Sequence, residues 1–241
     1  DVTADLPPVG FDYRDYVNTL RETRATAAFK RAETYWRDRL ATLPLAPSLP
    51  RANSAQDKEA RDEGTAFMRH EGLLPRAAWD ALKRRARAAG LTPAALVTAV
   101  YAEAITEFCE SPHFTLNLLY QNRPSWHPRI QEVVGNFSTT ILLEVDNREP
   151  LPFEKRVRAL QTRLWSDMEH AQVSGIQVVR ELARQRGSSV ASSMPVVLAS
   201  SLHMSAAEVE SDALFFTVVS NRLQTPHVWI DHQVMESSRP A

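Results

Sequence analysis

Residue types able to do chemistry are most concentrated in Gln224-Thr225-Pro226-His227-Val228-Trp229-Ile230-Asp231-His232-Gln233. After the proline an alternation of period two puts Val228, Ile230, His232 and Val234 on one face and His227, Trp229, Asp231 and Gln233 on the other. Aspartate is depleted in strands, and a carboxylate taken out of water needs a partner or must neutralise. Asp231 therefore has two readings. It is an edge-strand carboxylate in solvent or a helix cap, or it is a perturbed carboxylate that marks a site.

Other chemistries find little support. The chain has seven glycines and no glycine-rich phosphate loop, and its seven histidines show no metal-ligand spacing. His227 and His232 fall on opposite faces of one predicted strand and cannot share a metal. The Ser-Ser pairs lack the glycines of a nucleophile elbow. The single cysteine, Cys109, excludes an internal disulfide and reads as a small hydrophobe at a helix end. Lys83, Arg84, Arg85 and Arg87 form a basic run that reads as a solvated helix face, with docking of an acidic partner as the sharper alternative.

Composition sets the outer limits. The chain is 241 residues long and 44% hydrophobic, enough for one large domain or two small ones. Lys plus Arg is 28 against 29 for Asp plus Glu, so the basic excess that nucleic-acid binding normally requires is missing. No apolar run is long enough to span a bilayer and no signal peptide opens the sequence, which predicts a soluble, cytoplasmic protein.

The elements that must position Asp231 follow from pattern. Asp15 to Leu40 reads as one helix, ended by a strap with three prolines, Leu43 to Pro50. Arg51 to Asp62 reads as a surface loop, and Gly64 to Leu74 as a strand running into a helix that Pro75 starts and Gly90 ends. Thr92 caps and Pro93 opens the next helix, Ala94 to Phe108, which is apolar nearly all round and is expected to be buried. Phe114 to Gln121 alternates as a strand, and a second strand spans Thr139 to Val145. Phe153 to Glu169 and Gly175 to Arg186 read as amphipathic helices, then a serine-rich bend covers Ser188 to Ser193. Pro195 to Leu198, Leu214 to Val219 and Pro226 to Val234 complete the strands. Interspersed helices and strands predict an α/β domain, a mixed sheet flanked by helices.

Several blocks, in order, resemble the C-terminal half of heterocyclisation domains of nonribosomal peptide synthetases. These are variants of the condensation domain, with a fold like chloramphenicol acetyltransferase. Leu43 to Pro50 matches the family's Leu-Pro-x-x-Pro-x-Leu-Pro strap, and Leu91-Thr92-Pro93-Ala94-Ala95 its Thr-Pro helix start. Gly135-Asn136-Phe137-Ser138 is similar to its Gly-Asp-Phe-Thr block, and Pro195 to Leu202 to its Pro-Val-Val-Phe-Thr-Ser-x-Leu block. Gln224 to Asp231 resembles Gln-Thr-Pro-Gln-Val-x-Leu-Asp.

The resemblance implies an enzyme that joins a carrier-bound acyl thioester to a carrier-bound Cys, Ser or Thr, then closes the side chain onto the new amide to give a thiazoline or oxazoline. It places Asp231 as acid/base and Asn117 as the amide that orients a carbonyl, with Gln224, Thr225 and Trp229 against substrate. The family threonine falls at Ala199, which has no hydroxyl. Ser200 and Ser201 are the nearby stand-ins; alternation puts Ser200 on the opposite face from residue 199 and Ser201 on the same face. No cofactor of its own is implied, since substrates ride on phosphopantetheine arms. The implied partners are an N-terminal lobe of the same domain, upstream and downstream peptidyl carrier proteins and an adjacent adenylation domain, with no nucleic acid and no membrane.

The family's Asp-x-x-x-x-Asp-x-x-Ser motif and the His-His-x-x-x-Asp motif of ordinary condensation domains are not in this sequence. The expectation is thus a single lobe over residues 1–241, with helix and strap over 1–62 and an α/β core over 63–241. Alone, it is expected to be inactive. Two alternatives stay open at this point: condensation without ring closure, and a non-catalytic lobe that docks carrier proteins.

Overall fold

The computed structural model describes residues 8–50, 68–186, 194–202, 225 and 227–236. The expected loop over 51–62, bend over 188–193 and strand over 214–219 lie outside the described residues.

Helix α1, Tyr13–Glu22, starts on a capping box in which Asp12 and Asp15 each accept the other's backbone N–H at 2.9 Å. The single helix expected over Asp15 to Leu40 is in fact two. A 3-10 turn over Thr23–Ala25 interrupts it, and Thr26, in extended conformation, caps α2, Ala27–Leu40. Threonine chemistry explains the break. The Thr23 hydroxyl donates back to the Leu20 carbonyl, and the Thr26 hydroxyl donates to the Thr23 carbonyl and accepts the Phe29 N–H. Such local bonds compete with a continuous helical ladder. Helix α2 buries Phe29, Ala32, Trp36 and Leu40, one face at helical spacing.

The proline strap follows as expected. Its carbonyls act as acceptors: Thr115 donates its N–H to Leu45 at 2.9 Å and its hydroxyl to Pro44 at 2.6 Å, and Arg186 reaches the carbonyls of Leu40 and Leu43. Residues 68–74, described from the strand expected over Gly64 to Leu74, are not a strand. Met68 is 80% and Leu73 69% exposed, so no sheet edge rewards extension there. Pro75 is the cap of helix α3, Arg76–Ala88, rather than its first residue. Gly90 has φ +70°, and Leu91 donates to the Ala86 carbonyl at 2.8 Å, a glycine-dependent helix stop.

Helix α4, Pro93–Thr106, is capped by Thr92 with Pro93 at its start. It is not buried all round. Ala95, Ala99, Ala102 and Ile105 are buried, but Val100 is 54% exposed, because the packing partners among the described residues lie on one side of the helix.

The described sheet has the order β2-β1-β3-β4. Strands β1 (His113–Gln121) and β2 (Ser138–Asp146) are antiparallel, while β3 (Val196–Ser200) runs parallel to β1 and β4 (Ile230–Val234) parallel to β3. One face carries Phe114, Leu116 and Leu118 with Ile141, Leu143, Val145, Val196 and Leu198, all in the main core. Helices α5 (Phe153–Glu169) and α6 (Gly175–Arg186) have the bounds their periodicity predicts. Gly175 is required where α6 meets β2, since a Cβ there would sit 2.6 Å from the Thr140 hydroxyl and 2.9 Å from its carbonyl oxygen. A smaller core of Tyr16, Ile130, Val133 and Phe137 seats α1 on the loop between β1 and β2.

Candidate functional site

Register brings the predicted chemistry together. Asn117 on β1 is paired with Val197 on β3, and Val197 with Asp231 on β4, so the three form one row across the parallel part of the sheet. Ala199 lies one step further along the same face, between Leu119 and Gln233. Strand spacing puts the Cα atoms of Asn117 and Asp231 about 10 Å apart, over the buried side chain of Val197.

Each member is held by its neighbours. Asn117 Nδ2 donates to the carbonyl of Met194 at 3.3 Å, while Asn117 Oδ1, buried, has no partner among the described residues. Met194 is 1% exposed and has φ +54°, an unusual conformation for a long side chain. The next carbonyl, that of Pro195, accepts from Trp229 N at 2.8 Å and Ile230 N at 3.3 Å, which ties the start of β4 to the start of β3. His227, φ +64°, turns the chain into that contact. The strand expected from Pro226 is observed only from Ile230: His227 is left-handed and the Val228 N–H bonds back to the Thr225 carbonyl, a turn at His227 ahead of β4. Asp231 is half-buried, with Gln233 Nε2 at 3.5 Å from its Oδ2.

The opposite face of β4 packs against helices. Ile230 and Val234 join the main core, and the His232 ring stacks on Tyr101 of α4 with centroids 4.7 Å apart and planes within 6°. Burial pushes the Tyr101 phenol up, and the Asp231 charge pushes it further; its hydroxyl has no partner among the described residues. Burial pushes His232 down, and Asp231 partly offsets this. Beyond β4, Glu236 accepts from Lys83 of α3 at 2.7 Å.

Of the two serines, Ser201 lies just past the end of β3, where its N–H donates to the Val234 carbonyl at 2.9 Å. Ser200 points to the other face, as alternation predicts, and its buried hydroxyl has no partner among the described residues. Thr225 is exposed and Trp229 half-buried. Gln224 lies outside the described residues.

Burial pushes the Cys109 thiol up, consistent with a half-buried hydrophobe packed on the core. Lys83 pairs with Asp80 and Glu236, whereas Arg84, Arg85 and Arg87 are exposed.

Sequence reasoning passed over one polar cluster. Arg39 on α2 bonds Asp167 on α5 and Glu144 on β2, Tyr35 donates to Asp167 at 2.6 Å, and His113 lies 2.9 Å from Glu144. Burial pushes the Asp167 carboxyl up to about 6, against the opposing pull of Arg39 and Tyr35. The signal was present: Val157, Leu160, Leu164 and Asp167 share one helical face, so an acid occupies a core position.

A family model described as Condensation domain matches residues 3–222. Pyochelin synthetase PchF of Pseudomonas aeruginosa is 35% identical over 232 residues, 95% of this chain but 12% of that protein. Phenyloxazoline synthase MbtB of Mycobacterium tuberculosis is 32% identical over 94% of this chain and 15% of its own length. The chain thus spans only a small part of these relatives. Among solved structures, the EpoB cyclization-docking bidomain from Sorangium cellulosum superposes with TM-score 0.78 at 33% identity, over 99% of this chain and 47% of that one. The nonribosomal peptide synthetase FmoA3, with α-methyl-L-serine-AMP bound, superposes with TM-score 0.84 at 35% identity, over 99% and 25%.

Proposed function

The chain belongs to the condensation-domain family of nonribosomal peptide synthetases and has its chloramphenicol-acetyltransferase-like fold, and from that premise we propose that it is the C-terminal lobe of a heterocyclisation domain. Working with an N-terminal lobe, it joins two carrier-bound thioesters through an amide and then expels water to form a thiazoline or oxazoline. The observation that carries this reading is the row Asn117–Val197–Asp231, which sets an amide and a carboxylate on either side of an apolar floor.

The chemistry fits those groups. Ring closure removes a proton from a hydroxyl or thiol and delivers one to a departing oxygen. A half-buried carboxylate does both in turn, an effect of roughly a hundred- to ten-thousandfold. Holding both tethered reactants over the row contributes up to about 7–11 kcal/mol. The substrates arrive on phosphopantetheine arms of upstream and downstream carrier proteins, with an adenylation domain loading the acceptor. The lobe itself contributes no cofactor, and the reaction takes place in the cytoplasm.

A second reading has a specific observation behind it. Ala199 occupies the site face where the family carries threonine, and a missing hydrogen bond of that kind costs on the order of a hundred- to a thousandfold. Condensation without cyclisation follows unless Ser201, just past the end of β3, substitutes for the missing hydroxyl.

The test is the product mass from the full-length protein given donor and acceptor thioesters on loaded carriers. A product one water lighter than the linear amide is expected. Linear amide alone favours the second reading. No product with both carriers loaded overturns both and leaves a carrier-docking lobe.

A further inference from the structure

The hydrogen bond made by Asn117 determines which end of its amide is left unpaired among the described residues. Its neighbour is the Met194 carbonyl oxygen at 3.3 Å, and only an NH2 group can face a carbonyl. The orientation is therefore fixed by chemistry, and Oδ1 is the end left buried without a partner among the described residues. An amide that served as an oxyanion donor would need its NH2 toward the substrate; here the NH2 braces a residue at φ +54°. Across Val197 in the same row stands Asp231, whose carboxylate, when ionised, also only accepts.

Two acceptors separated by an apolar floor are complementary to a molecule that carries two donors. A carbonyl group presents none. A 1,2-amino alcohol or amino thiol presents both, an N–H and an O–H or S–H on adjacent carbons. We propose that Asn117 Oδ1 accepts the N–H of the attacking amine of the acceptor residue, which lies across Val197 with its side-chain hydroxyl or thiol toward Asp231. This rests on the heterocyclisation reading and assigns the acceptor residue its orientation in that site.

The contact strengthens as the reaction proceeds. When the nitrogen adds to the thioester carbonyl it gains positive charge, so its N–H becomes a stronger donor to Oδ1. The C–N bond forms, the C–S bond breaks, and the proton lost from nitrogen ends on the departing thiol.

Two substitutions in the full-length protein separate accepting from donating. Asn117→Asp and Asn117→Leu are similar in size and both lose the bond to Met194, so any effect of that brace is common to them. Only Asn117→Asp keeps an acceptor oxygen, and at a pH where its carboxyl is ionised neither has a donor, so the rates are compared up to alkaline pH. The readout is the initial rate of amide formation with seryl or cysteinyl acceptor on its carrier. Asn117→Asp is expected to stay within about tenfold of wild type, and Asn117→Leu to fall about a hundredfold or more. If Asn117→Leu fails to fold, as judged by thermal unfolding, Asn117→Ala takes its place in the comparison. Equal loss in the two variants, or no loss in the apolar one, overturns the assignment. Wild-type protein that forms no amide would instead overturn the heterocyclisation reading, so the two failures are distinguishable.

Discussion

The carboxylate of Asp167, wholly buried on α5, is met by the guanidinium of Arg39 from α2, and this pair joins the two helices. Burial dominates: the acid titrates near 6 in the fold and near 3.9 when unfolded. A raised carboxyl pKa stabilises fully below the unfolded value, and that stabilisation is lost as pH rises through the folded one. Comparing wild type with Asp167→Asn by chemical denaturation between about pH 4 and 7 should show wild type losing on the order of 3 kcal/mol relative to the variant. Parallel pH profiles would show that Asp167 is not desolvated in solution.

Tyr101 keeps a hydroxyl, unpartnered among the described residues, where the ring alone would stack on His232. A buried hydroxyl without a partner costs about 1–3 kcal/mol. Tyr101→Phe should accordingly raise the unfolding free energy by about 1 kcal/mol, read from the denaturant midpoint at constant slope. A loss of stability would mean that the hydroxyl has found a partner.

Gly175 allows α6 to approach β2 at Thr140 more closely than any side chain permits. The nearest atoms include backbone, which cannot rotate away. Gly175→Ala should cost about 1–3 kcal/mol despite the better helix propensity of alanine, measurable by thermal unfolding.

Ala199 and Asp231 make opposite predictions for ring closure. Under the proposed function, Asp231→Ala should leave linear amide while abolishing the dehydrated product, and unchanged cyclisation would remove the acid–base role proposed for it. Ala199→Thr restores the family hydroxyl on a strand that favours β-branched residues, and should raise the cyclisation rate by up to about a hundredfold. No gain would indicate that Ser201 already serves. Mass spectrometry of the released product checks both.

Much of this architecture was legible because it rests on local period. Helices α5 and α6 and the faces of β1 follow directly from apolar spacing. Tertiary packing defeated the rest. Thr23 and Thr26 split a helix whose periodicity runs through them, and α4 exposes Val100 because no element among the described residues covers that side. Alternation before Ile230 suggested strand, but a left-handed His227 makes a turn. Alternation did place Asn117, Ala199 and Asp231 on consistent faces of their own strands. It could not show that register aligns Asn117 with Asp231, nor that Met194 would occupy the donor end of the asparagine amide.

The strand order has a kinetic consequence. Asn117 pairs with a residue 80 positions later, Val197, and Val197 with one 34 later, Asp231, both through parallel ladders. Closing such distant contacts loses chain entropy before they contribute energy, so parallel pairings of this span form slowly. The helices and the β1–β2 hairpin can assemble while the row is still open. A lobe arrested at that stage would carry most of the described helices and strands without the aligned row, which makes protection of the β3 and β4 amides from hydrogen exchange, rather than helical content, the sensitive measure of whether this protein has finished folding.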